Sequence, residues 1–369
     1  AQYKGVGGRG QVESADAFKT PNFPAGMPCV TARLPSYQAS KPEEIMGIHT
    51  ALCEFLNVKH PIMLAGMGGV SYAELAAAMC NAGGYGVLGM AGTSPDFIEQ
   101  QMARGRELTD KPFGVDLLAA DPGSLEQSVD VIIAGGADSF VAGLGVPLPI
   151  MKKLKDAGVK VMVVGGAVKH AIKAEQAGCD AVILQGGEGG GHTGLVGTLP
   201  LVAQAVEAVN IPVVAAGGIY DGRGLAAALS LGAVGVWMGT RFIASEEAHA
   251  AQTYKNTVVG ATDTDTTRTR CYSGKPMRCR TNDYILDWES RPDEIQAFPM
   301  QAVLSVKTDV IGGSGGVTDE TRLDPSKSCF AMGQSAGGVS DILPVSDIVD
   351  RIILEAEQAI ARAANLRVT

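Results

Sequence analysis

The chain has 369 residues, and 30 Lys and Arg against 39 Asp and Glu leave a formal net charge of −9. With aromatic residues at 5% and no stripe of Lys and Arg, neither phosphate neutralisation nor base stacking is provided for, so nucleic acid is not an expected partner. Nor is a membrane span expected, because the longest uncharged stretch, residues 75–95, is broken by Asn81, Gly83, Gly84, Gly86, Gly89 and Gly92.

Glycine is the anomaly: 48 of 369 residues, about twice the usual share, set beside Val, Ile and Ala rather than in Ser/Pro tracts. The seven cysteines (29, 53, 80, 179, 271, 279, 329) are odd in number and contain no Cys-x-x-Cys pair. They read as reduced thiols of a cytoplasmic protein with no metal site. The first 25 residues lack the apolar core of a signal peptide.

Residues 1–44 are polar, rich in Gly, Pro and Ser, and show no sustained period, which predicts an N-terminal extension. Gly5-Val6-Gly7-Gly8-Arg9-Gly10 matches the dinucleotide pattern G-x-G-x-x-G, but no strand precedes it and no helix follows, so the match is chance. From Pro61 the chain changes character. Short apolar runs begin at residues 61, 86, 112, 138, 160, 181, 212 and 233, with helical patterns between them. Starts 21 to 31 residues apart fit one strand, one helix and two short loops per unit. Continuous apolar strands of this kind belong to a parallel sheet covered on its outer face, and eight of them predict an α/β fold of the (β/α)8 TIM barrel type.

The Ala-rich stretches 72–81 and 171–177 predict helices closing at Gly83-Gly84 and Gly178, and Asp180 and Asn210 fall in helix-to-strand turns on the stability face. After the eighth run, a helix is expected over 245–255, then a composition shift without strand–helix alternation to about Gly338, a small appended domain or lid. Residues 347–364 return to a 3.6 period through Val349, Ile352, Ile353, Ala356 and Ile360, which predicts a closing helix packed on the barrel.

In a barrel, chemistry gathers just past the strand C-termini. The seventh run ends in Gly217-Gly218-Ile219-Tyr220-Asp221-Gly222 before a helix from about Arg223, and the eighth in Met238-Gly239-Thr240-Arg241. Glycines in these two consecutive loops let backbone N–H groups approach a phosphate, with a helix dipole in support. The sixth run leads into residues 185–194, Gln-Gly-Gly-Glu-Gly-Gly-Gly-His-Thr-Gly, whose six glycines can lie flat against a planar ligand while presenting one imidazole. His192 is therefore the candidate general acid or base, whereas His49, His60, His170 and His249 read as structural. Glu188 could orient that imidazole or cap the loop.

These residues carry a resemblance. Gly66-Met67-Gly68-Gly69, residues 81–86, Pro112-Phe113-Gly114-Val115, residues 185–194, Ala216-Gly217-Gly218-Ile219, residues 238–242 and residues 332–337 are similar, in order, to the nitronate monooxygenase family, formerly called 2-nitropropane dioxygenases, which includes FMN-dependent enoyl thioester reductases. The resemblance covers residue 45 to the C-terminus. It implies an FMN-binding barrel over 45–258, a small substrate or lid domain over 259–340, and a C-terminal helix over 341–369. It also implies a flavin at the barrel mouth with its phosphate on Gly217, Gly218, Gly239 and Thr240. Gly66, Met67 and Gln185 would lie along the ring and ribityl chain, Gln334 and Ser335 would close the site, and Gly68, Asp116, Gly190, Gly191 and Met238 complete the contacts. His192 falls on the family's catalytic histidine, and Tyr272-Ser273-Gly274-Lys275-Pro276-Met277-Arg278 resembles a strap beside the cofactor, with a solvated basic turn as the other reading of Lys275 and Arg278.

Two departures stand out: Asp116 replaces a common Asn, placing a carboxyl where an amide faces the flavin, and Leu64 replaces a common Gln. The resemblance implies an enzyme oxidising alkyl nitronates with O2 to a carbonyl compound and nitrite, His192 being the base. The alternative is an NAD(P)H-dependent reductase of an enoyl thioester or quinone, with His192 as proton donor. A homodimer is compatible with the long N-terminal extension.

Overall fold

The eight apolar runs become eight parallel strands: β1 (Ile62–Leu64), β2 (Gly86–Gly89), β3 (Phe113–Leu118), β4 (Ser139–Gly143), β5 (Lys160–Gly165), β6 (Ala181–Gln185), β8 (Val213–Ala216) and β9 (Gly235–Met238). A two-residue strand, β7 (Gly191–His192), follows β6 outside this set. The structure, a computed structural model, describes residues 47–120, 122–311 and 318–366. The N-terminal extension expected as a dimer arm, its glycine motif and Cys29 lie outside the described residues.

The sheet runs β1-β9-β8-β6-β5-β4-β3-β2, every ladder parallel. Its ends meet: Leu64 N–H donates to Tyr85 O and Tyr85 N–H to Ile62 O, both at 2.9 Å, which joins β1 to the residue before β2. This is the (β/α)8 barrel the strand count predicted. Alternate strand residues divide between two cores. Met63, Val87, Val141, Met162, Ile183, Val214 and Trp237 fill the interior together with Leu52 and Leu56 of the helix Ala51–Leu56. Ile62, Leu64, Val115, Phe140, Val182 and Val236 pack outward under the helices.

Helices end where glycine takes the left-handed conformation, as at Gly83 (φ +88°) and Gly178 (φ +83°). Asp180 does occupy a turn on the far face, accepting from Val161 N at 2.7 Å. The helix expected over 245–255 is instead Gln252–Val259. Ser245 bridges Leu343, and Glu246 N–H donates to Leu343 O at 3.0 Å, so the backbone of these residues serves the C-terminal segment rather than a helix.

The stretch after β9, expected as an appended domain over 259–340, falls within one compact unit with the barrel, residues 45–369, and holds more regular structure than its sequence suggested. Strands β10 (Thr266–Thr269) and β11 (Met277–Arg280) form an antiparallel hairpin over a core of Cys271, Tyr272, Met277, Cys279, Ile285, Ile295 and Val310. The helices Asp283–Glu289 and Met300–Lys307 follow. The closing helix, Val345–Ala364, packs on the helices Gly222–Ser230 and Ala73–Asn81, burying Ile348, Val349, Ile352 and Ile353. Among the described residues no helix is long and apolar enough to cross a membrane.

Candidate active site

The loops at the C-terminal ends of β1, β6, β8 and β9 converge with the appended domain. After β1, Gly66 is tied to Asp116 of β3: a Cβ there would fall inside the Asp116 side chain. Met67 N–H donates to Ser71 Oγ at 2.7 Å, and His249 Nδ1 lies 2.9 Å from Gly69 O while its ring packs tilted against Tyr72, 4.6 Å between ring centres, so this histidine supports the β1 loop. Gly68 follows in the same turn. Asp116 is buried, its carboxyl makes no hydrogen bond among the described residues, and burial pushes its pKa well above the usual carboxylate range.

The glycine-rich segment after β6 is held from inside and outside. Gln185 Nε2 donates to Gly190 O at 3.0 Å and to His192 O at 3.1 Å. Outside, β7 pairs with β11 in antiparallel register, Met277 opposite His192 and Arg278 opposite Gly191. Arg278 Nε donates to Gly187 O at 2.9 Å, and Arg268 Nη1 to Gly194 O at 3.2 Å. Glu188 does not orient the imidazole. Its carboxylate accepts from Thr198 N at 3.0 and 2.9 Å and from Thr198 Oγ1 at 3.0 Å, at the start of the helix Thr198–Ala208. Thr198 Oγ1 also reaches Gly217 O at 2.9 Å, linking the β6 and β8 loops.

His192 Nε2 sits 2.8 Å from Ser273 Oγ. Ser273 is buried, and its hydroxyl donates to Lys275 O at 3.2 Å while accepting from Lys275 N at 3.3 Å. The Ser273 hydroxyl thus holds the imidazole at Nε2, and which of the two donates depends on the ring tautomer. Burial, then the nearby Lys275 ammonium, lowers the His192 pKa to about 4, so the ring is neutral at physiological pH. The Lys275 ammonium rests 4.5 Å from the centre of the Phe298 ring.

After β8, Gly217 and Gly218 both adopt positive φ, +92° and +75°, conformations that favour glycine. Among the described residues the backbone N–H groups of Gly217, Gly218, Gly239 and Thr240 donate to no protein acceptor, leaving a row of donors at the mouth. The next helix adds less dipole than its position suggests. Asp221 caps Gly224 N at 3.0 Å, and Glu355 takes Gly222 N at 3.0 Å, so its first turn is already served by carboxylates. Met238 packs its side chain in the outer core, and its carbonyl accepts from Ala65 N at 2.9 Å. Gln334 N–H donates to Glu188 O at 2.9 Å, and Gly333 N–H to Thr240 Oγ1 at 3.0 Å. This brings Gln334 and Ser335 over the β6 and β9 loops, and Glu188, Thr198, Gly217, Gly218, Gln334 and Ser335 share the lining of one cavity of about 320 Å³.

Sequence reasoning had no role for Thr198 or Arg268, whose bonds to the β6 loop cross 10 and 74 residues of chain. Ser273 lay in a segment already singled out, but nothing in the sequence placed its hydroxyl on the imidazole.

A parallel barrel with a row of free glycine N–H groups and a desolvated imidazole at the strand C-termini has the layout of a barrel enzyme. Residues 49–130 and 123–355 match the family described as nitronate monooxygenase. The chain belongs to that family, which is one of flavin-dependent oxidoreductases. It is 35% identical over 354 residues to the (3aS,4S,5R,7aS)-5-hydroxy-7a-methyl-1-oxo-octahydro-1H-indene-4-carboxyl-CoA dehydrogenase of Rhodococcus jostii (strain RHA1), covering 87% of this chain and 99% of the relative. A probable nitronate monooxygenase of Staphylococcus saprophyticus is 36% identical over 306 residues, 70% of this chain and 86% of its own. Among solved structures, FabK from Thermotoga maritima superposes with a TM-score of 0.80 at 36% identity, covering 87% of this chain and all (100%) of that one. Nitroalkane oxidase from Streptomyces ansochromogenes gives 0.75 at 29% identity, with 85% and 100% covered.

Proposed function

We propose that this chain is an FMN-dependent nitronate monooxygenase, oxidising alkyl nitronates with O2 to a carbonyl compound and nitrite, with His192 as the base that converts a neutral nitroalkane to its nitronate. The observation that carries this reading is the state of His192. A neutral imidazole held at Nε2 by Ser273 is already in the form that takes up a proton and has no spare one to give at neutral pH, although the lowered pKa makes it a weak base.

The residues present suit an FMN. The free N–H groups of Gly217, Gly218, Gly239 and Thr240 form a cradle for a phosphate, and their glycines admit close approach. Gly66, Met67, Gly68 and Gln185 would line the ring and ribityl chain, with Gly190 and Gly191 beside them. Asp116 brings a buried carboxyl with no protein partner among the described residues, a polar group suited to a ring heteroatom. Gln334 and Ser335 would close the site, and Met238 would contribute through its position at the strand end. When bound, FMN would supply the electron acceptor for the nitronate and the route by which electrons reach O2. His192 removes the α-proton, Ser273 holds the ring at Nε2, and the β11 contact keeps its backbone in place.

A second reading, reduction of an enoyl thioester or quinone by NAD(P)H, is favoured by the high coverage of the Rhodococcus carboxyl-CoA dehydrogenase and of FabK. The test is anaerobic mixing of the flavin-loaded protein with NADH, NADPH and an alkyl nitronate in turn, following the flavin's visible absorbance. Bleaching by the nitronate alone, with O2 uptake on propionate 3-nitronate, is the expected result. Bleaching by NADH or NADPH alone would overturn the monooxygenase in favour of the reductase.

A further inference from the structure

Three thiols, Cys271, Cys279 and Cys329, share the core of the appended domain, and among the described residues no group of three or more His, Cys, Asp or Glu could hold a metal ion. Two of them are in contact. Cys279 Sγ and Cys329 Sγ lie 3.4 Å apart, although 50 residues separate them along the chain. Cys279 is fixed in β11 by its ladder with Thr267, whereas Cys329 lies in an irregular segment, its N–H donating to Val310 O at 2.7 Å. Cys279 is fully buried and Cys329 half-buried.

We propose that Cys279 and Cys329 form a reversible redox site that closes to a disulfide when the protein meets hydrogen peroxide. The peroxide reaches the more accessible Cys329, its O–O bond breaks, the sulfur becomes a sulfenic acid and one water leaves. The Cys279 sulfur then attacks that of Cys329, the S–O bond breaks, the Cys279 proton departs with the oxygen as a second water, and the S–S bond forms. Two thiols give up two electrons and two protons, and the peroxide takes both. Burial pushes the Cys279 thiol well up, which protects it from direct oxidation and leaves proximity to drive the second step. A disulfide needs the sulfurs at about 2.05 Å, a closure of about 1.4 Å that the irregular Cys329 segment can supply.

The link joins two elements that both reach the site. Cys279 follows Met277, the ladder partner of His192, and Arg278, which holds Gly187 O. Cys329 leads through Met332 to Gly333 and Gln334, which bond Thr240 and Glu188. Closing the bond therefore ties β11 to the segment that covers the barrel mouth.

The test treats the reduced full-length holoprotein with hydrogen peroxide, titrates its thiols after denaturation and maps linked peptides by mass spectrometry. The expected outcome is a loss of two of the seven thiols, a peptide joining Cys279 to Cys329, and full reversal by dithiothreitol. A raised thermal midpoint for the oxidised form would accompany it. Retention of all seven thiols, a link through Cys271, or Cys329 carried on to sulfinic acid with Cys279 still free would overturn the proposal. Because Cys279→Ser alters a filled core, Cys329→Ser is the control: it should keep its six remaining thiols under the same treatment, and losing two of them would also overturn it.

Discussion

His192 stands directly opposite Met277 across an antiparallel ladder, so the imidazole at the mouth of the barrel is held by a strand of the appended domain. The nearby Ser273, four residues before Met277 in the same segment, takes Nε2 at 2.8 Å. The appended domain thus acts on the histidine twice, once through the backbone and once through a hydroxyl, and proton transfer should depend on both.

His192→Ala should lower turnover of a neutral nitroalkane by about 10²–10⁴, the usual worth of a positioned base. Oxidation of the corresponding preformed nitronate should fall far less, since its proton is already gone. Steady-state O2 uptake with each substrate checks this, with flavin content measured to show that the site still loads. Equal losses on both substrates would assign His192 to binding rather than to proton removal.

The pH profile follows from the lowered pKa. His192 must be neutral to accept a proton, so kcat/KM for a nitroalkane should stay level through the neutral range and fall as pH drops through about 4. Lys275→Gln removes a cation that lowers this pKa, so the acid limb should move to higher pH. Stability carries the same sign. His192 and the buried His60 are both lowered from 6.5 to about 4. Above pH 6.5 each is neutral in both states. Between 6.5 and about 4 the unfolded chain takes up protons that the native chain refuses, so the thermal midpoint should fall across that window.

Glu188 is expected to matter for cofactor retention rather than for the proton. Glu188→Ala leaves Thr198 N without its acceptor and frees the bridge to Gly217, a loss of about 1–3 kcal/mol for a partly buried charged hydrogen-bond set. FMN affinity should weaken by about tenfold or more while the acid limb of the pH profile stays put. Fluorescence titration of released flavin, beside the pH profile, separates the two effects.

The barrel was legible because its strands are buried on both sides and so read as unbroken apolar runs at regular spacing, and the glycines of the β8 and β9 loops were legible for the same reason of position. The hairpin β10–β11 was not. Its ladder residues, Thr266-Thr267-Arg268-Thr269 and Met277-Arg278-Cys279-Arg280, lack a clear apolar alternation, because only Thr266, Thr269, Met277 and Cys279 turn to the interior. Glu188 looked equally able to serve the imidazole or the loop, and only the fold could show Thr198 beside it, since their contact depends on where the helix Thr198–Ala208 begins. The bond from Ser273 to His192 spans 81 residues, a pairing that spacing alone does not encode.

Asp116 offers the sharpest test of what the site does with an unusual residue. A carboxylate placed against a flavin would oppose negative charge on the reduced ring and lower its reduction potential. Here the carboxyl is buried against Gly66 and Gly143 and faces no cation among its near neighbours, and desolvation favours its protonated form, a neutral acid of nearly the same shape as an asparagine amide. Asp116→Asn should therefore leave the flavin reduction potential and its pH dependence close to those of the parent. A clear positive shift in potential on removing the acid, or a parent potential that drops as pH rises through the neutral range with the variant's staying level, would show instead that Asp116 ionises in the loaded site. Gly66→Ala supplies the complementary experiment. Its methyl would occupy the space of the Asp116 side chain, so the carboxyl must turn away, and flavin binding should weaken in a variant whose fold and far-UV circular dichroism are otherwise unchanged.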